Sequence, residues 1–330
     1  MQFVNNFKGI IKYSTNQLRK SIDLKINGGC LVLLYHRVCE YETDPQLLCV
    51  TPDNFEKQIL FLKSEYHLLS VDDFFAVISK NEKFPERSVL ITFDDGYADN
   101  LKFALPILEK YSTTALFYIC TGNIDTSREF WWDEVERHIL LSLDFPEVFK
   151  ITIEDSQFYS SKEIVERKKL YHDLLPVLRS LNSEERNKVV DSISKLTGNT
   201  PPRNSHRSMT WNEVTMMSSS PSAVMGAHTL NHPSLTACSL QEQKNEIEGS
   251  KVLLEGKLNR AIEHFSYPFG TKSDFNSHTI EIAEKTGFKM VAANFPYIAN
   301  RKSDRFAIPR FLIRDWDLPV FQKELNSFLK

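Results

Sequence analysis

The sequence predicts an α/β fold: a (β/α) barrel of about seven strands, closed or nearly so, that carries a helical insertion. Three observations lead there. Short apolar runs alternate with amphipathic stretches of helical period, and polar residues gather just after the apolar runs. The alternation then breaks over residues 125–210 and resumes afterwards. Runs such as "SVLITF" show no apolar–polar alternation, as expected of strands covered on both faces of a parallel sheet.

Taken in order, "CLVLLYHRV" (30–38) reads as the first strand. "TPDNFEKQILFLKSEY" (51–66) opens on capping residues and keeps Phe55, Ile59 and Leu62 on one face, so a helix is predicted. Strands follow at 88–93 and 114–120, with a helix over 100–111 between them. After the break come a strand at 223–228, a helix over 240–258 and a strand at 263–268. The helix predicted over 277–287 stops at Gly287, which suits the left-handed residue after a helix end. Strands at 289–294 and 306–313 close the series.

The break holds "FWWDEVERHILLSL", two charged helical stretches and the loop "TGNTPPRN". It is read as an embellishment of one domain spanning 29–330. Residues 1–28 form a separate basic segment, with Lys8, Lys12, Arg19, Lys20 and Lys25 against Asp23 alone. Phe3, Phe7, Ile10 and Ile11 lie at helical spacing within it. A helix packed on its own domain is the first reading, and peripheral contact with a membrane surface the second.

Composition excludes little but is informative. A net charge of −3 on 330 residues gives no support for a nucleic-acid partner. Five scattered cysteines with no C-x-x-C pair favour free thiols in a reducing compartment. The N-terminus has no apolar core of a signal peptide, and "CLVLLY" is too short to span a bilayer. A cytoplasmic location is therefore expected, with contact at the inner membrane face as an extension of it.

Chemistry concentrates at strand ends. "VLITFDDG" sets Asp94 beside Asp95 after a buried run, and two adjacent buried acids require a counter-charge. "GAHTLNHPSL" places His228 and His232 four residues apart at another strand end. Two imidazoles and one carboxylate leave a coordination position open, which is a catalytic and not a structural metal arrangement. The second acid is then available to take a proton from water activated by the cation. Helix capping near Asn100 accounts for one of the acids but not both.

"TFDDG", "H-T-x-x-H-P-x-L" and "FSYPFG" together resemble the polysaccharide deacetylase family, carbohydrate esterase family 4, over roughly residues 30–315. The resemblance implies a deformed (β/α) barrel with fewer than eight complete units. It makes Asp94 the general base and Asp95, His228 and His232 the ligands of a divalent metal: Zn2+ first, then Co2+, Ni2+ or Mn2+. The family's third motif reads R-x-P-Y, and here Ser266 stands where its arginine falls. Tyr267 is expected to offer its backbone N–H to the oxyanion. Arg310, in "IPRF", either restores the missing guanidinium or is an ordinary surface residue.

No L-x-H motif follows residue 280, yet "LVLLYHRV" delivers His36 to a strand end in the same manner. This resembles the poly-N-acetylglucosamine deacetylase branch, whose motif order is permuted. His36 is then the general acid, suited by an imidazole pKa of about 6.5; a purely structural histidine is the alternative. Trp131, Trp132 and Trp316, with Asp133 and Asp315, are candidates for sugar contact, packing being their other use. The expected activity is metal-dependent removal of N-acetyl groups from amino sugars of a surface polysaccharide or its lipid-linked precursor. A carbohydrate O-acetyl esterase and a catalytically silent sugar-binding protein are the alternatives.

Overall fold

Alternate residues of the buried strands leave for opposite sides of one curved sheet, and this parity builds the molecule. The computed structural model describes residues 28–198 and 200–329, so the basic N-terminal segment lies outside the described residues apart from Gly28. The sheet comprises β1 (Cys30–Tyr35), β2 (His67–Leu68), β3 (Ser88–Phe93), β4 (Ala115–Ile119), β5 (Ala223–Ala227), β6 (His264–Ser266), β7 (Met290–Ala292) and β8 (Phe311–Leu312). Seven strands run in the order β7-β6-β5-β4-β3-β1-β8, all parallel, and β2 adds to β3 off this path. First and last strands are neighbours, Leu33 facing Phe311.

The chain just before β8 turns this curled sheet toward closure. Ile308 exchanges backbone hydrogen bonds with Val291 and Ala293 beside β7, and Ile313 reaches Leu34 of β1. The predicted strands are longer than those observed at both places (263–268 against His264–Ser266, 306–313 against Phe311–Leu312). At β6 the backbone bonds nevertheless run one residue past each end, from Lys289 to Glu263 and from Tyr267 to Ala292.

The helices are α1 (Pro52–Glu65), α2 (Val71–Ser79), α3 (Leu105–Lys110), α4 (Trp131–Leu140), α5 (Ile164–Ser180), α6 (Ser183–Thr197), α7 (Trp211–Ser218), α8 (Leu240–Leu258), α9 (Ser277–Lys285) and α10 (Leu318–Phe328), and all but α2 and α4–α6 cover the convex side. Leu31, Leu33 and Tyr35 of β1 and Val89, Ile91 and Phe93 of β3 pack there against Phe55, Ile59 and Leu62 of α1. The intervening residues Cys30, Val32, Leu90, Leu116, Tyr118, Met290 and Ala292 meet one another with Val71 and Phe74 of α2. This second set fills the concave interior. No helix among the described residues is long and apolar enough to cross a membrane.

Strands β4 and β5 pair directly, from Ala115 with Ala223 to Ile119 with Ala227, although some hundred residues separate them. Helices α4, α5 and α6 and an antiparallel hairpin (Phe149–Ile153 with Ser156–Ser160) fill the gap around a separate apolar cluster that includes Val135, Phe149, Leu174 and Ile193. The hairpin was not expected in a helical insertion. "FKITI" carries the period-two pattern, with Phe149, Ile151 and Ile153 buried and Lys150 and Thr152 exposed.

Candidate active site

The interior parity carries polar residues upward to the C-terminal rim. Val32 and Leu34 lead to His36; Leu90 and Thr92 lead to Asp94; Val224 and Gly226 lead to His228; His264 leads to Ser266. Gly226 is needed for this, because a Cβ there would sit 2.6 Å from the Tyr118 ring. Arg310 arrives from the closing segment and is 1% exposed, so it is an interior residue and not a surface one.

Arg310 grips Asp94 with both arms, Nη1 to Oδ1 at 2.7 Å and Nη2 to Oδ2 at 2.6 Å. Its Nη2 also donates to Ser266 Oγ at 2.7 Å, and Nε donates to the Ala293 carbonyl at 2.9 Å. The Ser266 hydroxyl in turn donates to Asp94 Oδ2 at 3.1 Å. Burial acts to raise the Asp94 pKa, but Arg310, with the nearby imidazoles, outweighs it and brings it down to about 2. Asp94 is thus a buried carboxylate held ionised.

Asp95 sits on the other side of the pair. His228 Nε2 lies 3.5 Å and His232 Nε2 3.4 Å from Asp95 Oδ1. His228 Nδ1 is 2.8 Å from the Ser266 carbonyl, which can only accept, so that nitrogen carries the proton and Nε2 presents a lone pair. Asp95 Oδ1 is buried without a hydrogen-bond partner among the described residues. Lone pairs facing an orphaned carboxylate oxygen fit a divalent cation, and one carboxylate with two imidazoles suits zinc or a neighbouring transition metal. Asp95, Thr229, His232 and Phe269 all take positive φ, from 51° to 74°, a cost of about 1–3 kcal/mol each that clusters at functional sites.

The insertion supports this geometry from behind. Arg186 of α6, 1% exposed, donates to the backbone carbonyls of Asn231 at 2.7 Å and His232 at 3.3 Å. Glu246 of α8 accepts the amides of Leu230 and Asn231, both at 2.8 Å. Neither residue was visible as functional in the sequence. Arg186→Met is expected to weaken divalent-cation affinity about 10–100-fold, as loss of outer supports typically does. Chelator competition measures this, and unchanged affinity would show that Glu246 holds the loop alone.

His36 lines the same cleft, which has a volume of about 810 Å³. Asn100 Nδ2 donates to the His36 carbonyl at 2.8 Å, while His36 Nδ1 is buried without a partner among the described residues. Burial lowers the His36 pKa, and Asp95 and Asp94 act against that.

Several expected contacts fall elsewhere. The Tyr267 amide donates to the Ala292 carbonyl at 3.0 Å, continuing the β6–β7 ladder, and is therefore committed. Its hydroxyl donates to the Phe306 carbonyl. Pro268 has no N–H, so the next amide in the chain is that of Phe269, a residue that does line the cleft. Trp131 and Trp132 line it too, and the Trp132 ring packs edge-on against His232 at 4.7 Å. Asp133 is not at the rim: it lies behind Trp132, accepts from Tyr97 at 2.6 Å, and burial pushes its pKa up to about 8. Trp316 packs on the main core, and Asp315 accepts from Thr51 and Asn54 at the start of α1.

The sequence profile of the polysaccharide deacetylase family matches residues 81–140 and 160–291, more than half of the chain. The chain belongs to the polysaccharide deacetylase family. YxkH of Bacillus subtilis is 24% identical over 282 residues, 84% of this chain and 69% of that protein. The poly-beta-1,6-N-acetyl-D-glucosamine N-deacetylase of Staphylococcus aureus is 34% identical over 118 residues, 32% of this chain and 40% of its own length. Among solved structures, the Streptococcus pyogenes deacetylase PplD superimposes with a TM-score of 0.60 at 20% identity, over 92% of this chain and 99% of that one. IcaB from Ammonifex degensii gives 0.57 at 16% identity, over 92% and 97%. For this deacetylase these likenesses establish the curled barrel. The profile match begins after His36, so a permuted motif order is not part of what the family match covers.

Proposed function

We propose that this deacetylase removes N-acetyl groups from N-acetylglucosamine units of a surface polysaccharide, with Asp94 as base and His36 as acid. The observation that carries the reading is a carboxylate held ionised 3.8 Å from His228 Nε2, at the edge of a three-donor cation site. Asp95, His228 and His232 would hold a divalent cation, with zinc the first expectation, and it would supply Lewis acidity there.

Asp94 accepts the proton of the attacking water, and Arg310 fixes both of its oxygens while that happens. The carbonyl oxygen gains charge in the tetrahedral state, and the Phe269 amide is the backbone donor assigned to it; one such donor contributes a few kcal/mol. His36, from the strand beside β8, protonates the departing amine. Trp131, Trp132 and Phe269 wall the cleft with apolar surface suited to a pyranose face. The linkage follows the staphylococcal relative.

Acetate release from β-1,6-linked N-acetylglucosamine oligomers, measured with and without a chelator, tests this reading. Release that chelation does not touch would sink it. His36→Ala is expected to slow acetamide cleavage about 100-fold while sparing an activated acetate ester, whose leaving group needs no proton. Equal losses on both substrates would remove His36 from the acid role.

A further inference from the structure

The cleft is unevenly charged. From the metal donors it extends on the β1–β8 side to Gln46, Leu48, Leu312 and Arg314, and on the β6 side to Arg179 and Asp274. Two of the pairs along it cancel in place: Asp94 is neutralised by Arg310, and Asp274 receives Arg179 at 2.5 Å. Asp95 belongs to the cation site.

Arg314 differs. Its Nη1 donates to the carbonyl oxygens of Gln46 (2.8 Å) and Leu47, and no carboxylate of the described residues forms an ion pair with it; Asp44 acts on it from farther away, with both carboxylate oxygens accepting the Leu48 and Cys49 amides. Its Nε and Nη2 make no hydrogen bond among the described residues and are not among the buried polar atoms. Those two donors form the edge of the guanidinium that matches an oxyanion bidentately. The carbonyl anchors on Nη1 have already cost this side chain its rotamer freedom, so little more is lost when an anion arrives.

We propose that Arg314 is an anion subsite of the cleft, receiving a bidentate oxyanion, phosphate or carboxylate, carried by the substrate on the β1–β8 side of the acetamide. The proposal rests on the deacetylase reading above and narrows it to polysaccharides or precursors bearing such a group. On the β6 side Arg179 is occupied by Asp274, so the anion has one place to go.

Three probes test it: a neutral N-acetylglucosamine tetramer, the same tetramer with one 6-phosphate, and a tetramer with one uronic acid residue. The wild type is expected to show at least tenfold higher kcat/KM on one of the anionic probes than on the neutral one. The two anionic arms tell phosphate from carboxylate, and the preference should shrink with added salt. Arg314→Gln carries no charge, and its amide nitrogen ends near the Nε position, short of the 46–47 carbonyls; it is expected to bring the anionic-to-neutral ratio close to one. Arg314→Lys should retain part of it.

No preference in the wild type overturns the proposal. So does an Arg314→Gln variant that slows all probes equally and leaves the ratio intact, since Arg314 then only supports the loop. If the wild type releases acetate from none of the probes, the deacetylase reading itself has failed. Calorimetric binding of the anionic tetramers still decides the subsite in that case. At least tenfold tighter binding by the wild type than by Arg314→Gln supports it, and equal binding overturns it.

Discussion

Asp94→Asn is expected to retain its divalent cation and lose roughly 10²–10⁴-fold in turnover, the range contributed by a positioned general base. The side chain keeps its shape, and its amide oxygen still accepts one Arg310 donor. The amide nitrogen cannot accept the other and Arg310 is left as an unpaired buried charge, so a cost of about 3–5 kcal/mol in stability accompanies the loss. Cation binding survives because Asp95, His228 and His232 are untouched, and His228 keeps its Nδ1 bond to the Ser266 carbonyl. His228→Ala should behave differently, losing cation and turnover together. Acetate release paired with metal analysis of the same samples separates the two patterns. An Asp94→Asn enzyme of normal activity would remove Asp94 from the role of base.

The parts of this site that could be read from sequence are those whose chemistry is costly anywhere else. Asp94 and Asp95 end an apolar run, and His228 and His232 end another; charges and paired imidazoles at such places demand partners. The strand alternation that forms the sheet was equally visible, because Val, Ile, Leu and Phe fill both faces of β1 and β3. What could not be read depends on pairings between distant segments. The Tyr267 amide is spent on Ala292 because β6 and β7 remain in register one residue beyond the strand, and no local pattern signals that. Arg186 sits on a helix whose composition reads as a solvated face, yet it is buried against the His232 loop. Trp316 and Asp315 carry the residue types of a sugar site but serve the core and the start of α1.

Arg310→Met is expected to cost about 3–5 kcal/mol of stability at neutral pH, the penalty for stripping one partner from a buried ion pair. Both groups are nearly inaccessible, with Asp94 at 4% and Arg310 at 1% exposure, so water cannot replace the guanidinium. The pH dependence has a definite sign. In the wild type the Asp94 pKa is held at about 2, below its ordinary value, so its contribution is complete above about pH 4 and fades as pH falls toward 2. Without Arg310, burial raises the same pKa above its unfolded value, and the variant loses stability as pH climbs. The deficit should therefore be smaller at pH 4 than at pH 7 in urea titrations. Turnover falls as well, because a carboxyl that keeps its proton cannot accept another. Asp94→Asn with Arg310→Met removes both charges and should recover most of the stability while remaining inactive. If Arg310→Met alone stays within about 1 kcal/mol of the wild type at pH 7, water or another cation neutralises Asp94, and the buried pair is not what keeps the base ionised.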